Sequence, residues 1–162
     1  MYTRPALASH RGKLLSAHGR RGTPVHAACF IRNREIVLET ALLRSPRLLA
    51  LIVVHEIFHF VWSRLGNRAR SEFARVLARE LEHGAPGELG ESAALKKALL
   101  EAGKTPAENS RLWREYVCES FCDTAAWVYA GVARHGSFTL PRKWRQARRG
   151  WFGEELVDWV RC

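Results

Sequence analysis

The segment His55-Glu56-Ile57-Phe58-His59 constrains this chain more than any other feature. It places three ionisable side chains inside residues 48–62, a run that is otherwise apolar throughout. Ser45-Pro46 before the run and Gly66-Asn67 after it predict a helix over 46–65. Residues four apart on a helix share a face, with Cβ atoms about 5–6 Å apart. Two imidazoles so placed can reach one ion at the Zn–N distance of about 2.0–2.1 Å. Glu56 falls on the neighbouring edge, beside the ion, where a general base for an activated water belongs. A helix apolar on every side is expected to be buried on most sides. Two His and a Glu inside it are costly unless paired, and coordination satisfies all three. The expectation is one zinc ion per chain, with His55 and His59 as ligands and Glu56 as base.

A catalytic zinc takes a third protein ligand. Downstream, a helix expected over 108–132 carries Glu115, Glu119 and Asp123. Glu119 and Asp123 are four apart, so one can bind metal while the other accepts a hydrogen bond from the far nitrogen of a ligand His. That favours Glu119 as ligand and Asp123 behind it, over Glu115. Cys118 and Cys122 also share a helix face, a poor position for a disulfide and a normal one for core thiols. Either could serve as a soft ligand, and their use as thiols suggests a reducing compartment. His135 and Tyr116 are weaker candidates for stabilising an oxyanion.

The remainder reads as one α+β domain dominated by helices. With 162 residues, 47% of them apolar, the chain can bury a core of its own. Residues 1–24 are rich in Gly, Arg and His without a sustained period and read as a basic arm; residues 25–162 form the domain. Residues 25–31 and 35–39 are β-prone and suggest a hairpin or two sheet strands. Further helices are expected over 70–83 and 92–102, followed by a basic, Trp-rich tail from Pro141.

The formal charge is +10, and the first 34 residues contain no acid. Such a charge attracts nucleic acid, anionic lipid or an acidic protein partner, but it also describes a solvated Arg-rich surface. Residues 142–149 could grip phosphates while Trp144 stacks on a base, or form an exposed amphipathic helix. No secretory signal is visible. The apolar run at 48–62 is shorter than the roughly 20 residues of a membrane span and carries three ionisable groups. The expectation is a cytoplasmic protein with no membrane span.

The HExxH motif followed by a helical Glu119-xxx-Asp123 resembles the gluzincin zinc metallopeptidases. The same helix, with Cys122 before the Asp, is similar to that of the ImmA/IrrE group. The resemblance covers roughly residues 25–66 and 111–130, and two helices lengthen the separation between His59 and Glu119 beyond the usual pattern. It implies a minimal zincin-like fold with a small sheet packed on the HExxH helix. It also implies peptide-bond hydrolysis of a peptide or protein substrate, and a strand upstream, Glu35–Glu39, that binds extended substrate along its edge. The alternative is a non-catalytic zinc-binding regulatory or nucleic-acid-associated protein.

Overall fold

The computed structural model describes residues 1–11, 13–16, 22–103 and 110–160, with side chains through residue 153. Five helices and two three-stranded sheets make it α+β and helix-dominated. In the first sheet, β6 (Glu35–Glu39) lies between β1 (Tyr2–Arg4), which is parallel to it, and β5 (Ala27–Phe30), which is antiparallel. A single turn of 3-10 helix at Ile31–Asn33 joins β5 to β6 and closes on Arg34, whose φ of 54° is left-handed. Ile36, Val37 and Leu38 are all buried, as a central strand requires. This corrects the reading of Glu35–Glu39 as an edge: both of its hydrogen-bonding sides are occupied, and β5 is an outer strand.

Among the described residues, those of 1–24 do not form the unstructured basic arm that their composition suggested. β1 pairs with β6, while β2 (Leu7–His10), β3 (Lys13–Ser16) and β4 (Thr23–Pro24) make the second sheet in the order β3-β2-β4. Leu7 is almost fully buried. For β1 the partner is distant in sequence, while β2 and β3 pair locally as a hairpin with His10 opposite Lys13.

Ile36, Leu38 and Leu42 pack beneath Leu48, Leu49, Ile52 and Val53 of α1 (Pro46–Arg64), so the sheet does lie on the HExxH helix. The other packed side of α1 meets α4 (Arg111–Tyr129) through Val54, Phe58, Val61 and Trp62. α1 is not buried on most sides, however. Leu51, His55 and Glu56 are its buried residues, and Ile57 is 45% exposed. An all-round apolar sequence does not say how many sides have neighbours, and two packed sides leave the rest open. Among the described residues α1 is the one helix long and apolar enough, by length and composition, to cross a membrane. The core helix of a soluble protein has the same length and composition. The same helix here buries His55 and Glu56.

α2 (Asn67–Glu82) buries Phe73 and Leu77, and α3 (Glu91–Ala102) buries Ala93 and Leu100, around the central residues Tyr116, Val117, Phe121 and Cys122 of α4. α4 starts where the Ser110 hydroxyl accepts from the Trp113 N–H at 3.0 Å. The helix start expected at Glu108 lies outside the described residues. The basic tail forms α5 (Arg142–Val160), which brings Trp151 and Phe152 into the same core. It is not simply an exposed amphipathic helix. Arg148 is fully buried and donates to Glu80 at 2.6–3.1 Å and to Glu88 at 2.8 and 3.0 Å. Arg145 is turned inward too, donating to the carbonyls of Leu140 and Phe138.

Candidate metal centre

The four-residue spacing of His55 and His59 sets both imidazoles toward α4, where Cys118, Glu119, Cys122 and Asp123 occupy one face. The Nε2 atoms of His55 and His59 are 3.1 Å apart, and Glu119 Oε2 lies 3.3 Å from His55 Nε2. Two nitrogens on one tetrahedral zinc at about 2.0–2.1 Å stand about 3.3 Å apart, so these donors fit a shared ion. His55 Nδ1–H is spoken for: it donates to Asp123 Oδ1 at 2.8 Å, which leaves Nε2 as the free donor atom. Glu115, by contrast, pairs with Lys96 and with Arg111 on the protein surface.

A second arrangement competes with this one. His55, His59 and Cys122 each offer an atom within 4.8 Å of the others, a group that could hold a metal ion. Cys122 approaches His59 from the Nδ1 side, at 3.4 Å, with Cys118 Sγ at 3.6 Å from the same nitrogen. Nitrogen and thiolate on one zinc stand about 3.6 Å apart. The thiols at 118 and 122, visible in the sequence as a shared helix face, are thus closer to the histidines than the spacing alone revealed.

The electrostatics follow from burial and contact. Burial acts to lower the pKa of His55, but the hydrogen bonds to Asp123 and Glu119 outweigh it and hold it well above the ordinary imidazole value. Burial acts to raise the pKa of Glu119, yet the His55 contact keeps it below the usual carboxylate range. His59 is raised: burial opposes its charge, and the contact with Cys118 together with the nearby Glu119 carboxylate more than compensates. Cys118 drops to about 6, chiefly through its hydrogen bond with Cys122, whose own thiol burial pushes well up. Glu56 has its pKa raised by burial, with the two imidazoles acting in the opposite sense.

His55 and Glu56 line a cleft of about 400 Å³, together with Asp123, His135 and the backbone stretch Pro24 to Ala27. Glu39 N–H donates to the His26 carbonyl at 2.7 Å. Bonded and open pairs alternate along an antiparallel ladder, so Ala27 and Cys29 turn their N–H and C=O away from β6. The strand edge beside the site therefore belongs to β5, not to β6. His135 reaches the cleft, its Nδ1 2.7 Å from the Ser137 hydroxyl. Tyr116 does not: it is fully buried and donates to Glu88 at 2.6 Å, which removes it as an oxyanion candidate. Sequence reasoning passed over His26, on the cleft wall, and Gly90, which abuts Asp123.

No protein-family model, curated protein or solved structure matches this chain.

Proposed function

We propose that this chain is a zinc-dependent peptide hydrolase of the gluzincin kind, acting in the cytoplasm, with the metal held by His55, His59 and Glu119. The observation that carries the reading is the position of His55 Nε2, 3.1 Å from His59 Nε2 and 3.3 Å from Glu119 Oε2 with Nδ1 committed to Asp123. Such a set leaves a coordination position open, as catalytic rather than structural zinc sites do. Zinc, when bound there, supplies a Lewis acid that brings the pKa of a coordinated water to about 7.

Glu56 accepts the proton released as the attacking water adds to the scissile carbonyl carbon. It returns that proton to the amine nitrogen as the C–N bond breaks. Burial raises the pKa of its carboxyl, the direction that strengthens it as a base. Asp123 keeps His55 in the tautomer whose Nε2 is free for the metal. Ala27 offers its unused backbone groups to an extended peptide, which would add to β5 as a further strand across the cleft. His135, also in the cleft lining, would donate to an oxyanion.

The second reading is a closed, non-catalytic metal site in a regulatory protein, with Cys122 replacing the open position. It is favoured by the convergence of His55, His59 and Cys122 within 4.8 Å, and the +10 charge suits an acidic or nucleic-acid partner. A peptide-library cleavage assay on zinc-loaded protein separates the two. The hydrolase reading expects cleavage that a chelator abolishes and zinc restores. Cleavage unaffected by chelation, or none in zinc-loaded protein, counts against it.

A further inference from the structure

α3 begins on Gly90, whose φ of −162° and ψ of 166° are extended backbone that any residue adopts. Space, not conformation, is what requires glycine there. A Cβ added to Gly90 would lie 2.1 Å from the carboxyl carbon of Asp123 and 2.2 Å from each of its oxygens. Asp123 thus rests directly on bare backbone. Its Oδ1 accepts from His55 Nδ1–H at 2.8 Å and its Oδ2 from the Ala93 N–H at 3.2 Å.

The Ala93 N–H is one of the first-turn amides of α3 that have no partner inside the helix. Gly90, in the N-cap position, has no side chain to satisfy it. Asp123 supplies that cap from another helix. The loop before Gly90 is pinned from several directions. Lys97 donates to the carbonyls of Ala85 and Gly87, while Tyr116 and Arg148 both bind the Glu88 carboxylate. A Cβ at position 90 would therefore be relieved by movement of the Asp123 carboxylate, which disturbs its 2.8 Å contact with His55.

We propose that Gly90 and the first turn of α3 form a socket that holds Asp123 against His55, making Gly90 a positioning residue for the metal centre. The inference rests on the metal-binding reading above. Its test is a zinc titration of wild type, Gly90→Ala, Asp123→Ala and the double variant, with Gly66→Ala, which has open space around it, as control. Loss of a partner behind a metal ligand weakens binding on the order of 10–100-fold. Gly90→Ala should lose about as much zinc affinity as Asp123→Ala, and the double variant no more than Asp123→Ala alone. Removing the carboxylate also makes room for the Cβ, so the double variant should regain the melting temperature that Gly90→Ala loses.

Gly90→Ala binding zinc as tightly as wild type overturns the socket, as do losses that multiply in the double variant. Should Gly90→Ala fail to fold, a folded double variant supports the proposal and an unfolded one contradicts it. Imidazole nitrogen resonances of His55 in the metal-free protein give an independent reading. They should shift in Gly90→Ala as in Asp123→Ala, and unchanged resonances overturn the socket. Wild type that holds no zinc overturns the metal reading alone.

Discussion

The Nε2 atoms of His55 and His59 face each other across 3.1 Å on one side of α1. Two bare lone pairs at that distance repel, so a proton or a cation must lie between them. A metal that binds the folded chain and not the unfolded one raises stability by mass action, about 2.7 kcal/mol at a hundredfold excess over Kd. Zinc should therefore raise the melting temperature of wild type and leave His55→Ala and His59→Ala unchanged. An equal rise in all three, followed by differential scanning calorimetry, would place the zinc elsewhere.

Glu56 is buried beside the histidines but is not among the residues that converge on them. Glu56→Gln keeps the shape of the side chain and removes its ability to take a proton. Zinc content should stay at the wild-type level while kcat on a cleaved peptide falls on the order of 10²–10⁴-fold. Unchanged kcat would remove Glu56 from the chemistry.

Acidity should affect the metal-free and metal-loaded protein in opposite senses. The folded pKa of His55 is raised above its unfolded value by Asp123 and Glu119. In metal-free protein the stability this pair contributes is fully present below the unfolded pKa and fades as pH rises through the folded one. Zinc must displace a proton from His55 Nε2, so zinc affinity should rise over that same window. Titrations of zinc affinity and of denaturant midpoint against pH check the two signs, and parallel trends would contradict the assignment.

Arg148 sits fully buried between Glu80 and Glu88. Removing one partner of a buried ion pair strands uncompensated charge and costs about 3–5 kcal/mol. Arg148→Ala should lower the unfolding free energy obtained from urea titration by that amount, and Arg148→Met, which restores volume but not charge, should recover only part of it. An unfolding free energy within about 0.5 kcal/mol of wild type would show that the network contributes little, as substitutions away from such features do.

Much of this architecture could be read before any coordinates. The Pro46 start and the apolar run marked α1, and the four-residue spacings of His55–His59 and Glu119–Asp123 put each pair on one helix face. What could not be read depends on partners far away in the chain. β6 is a central strand because β1, some thirty residues earlier, pairs with it. Arg148 reads as one more cation in a basic run, and only Glu80 and Glu88 on other segments make it core. Gly90 carries no side-chain signal at all; its requirement arises where Asp123 comes to rest.

Cobalt substitution identifies the third ligand. Cobalt(II) takes the zinc position and shows an intense charge-transfer band when a thiolate binds it. The account predicts one cobalt per chain and no such band. Binding should fall most in Glu119→Ala, while Cys122→Ser leaves it nearly intact and Glu115→Ala, whose carboxylate faces Lys96 and Arg111, does little. A strong thiolate band that vanishes in Cys122→Ser, with Glu119→Ala still holding cobalt, would contradict it and point to His55, His59 and Cys122 as the ligands instead.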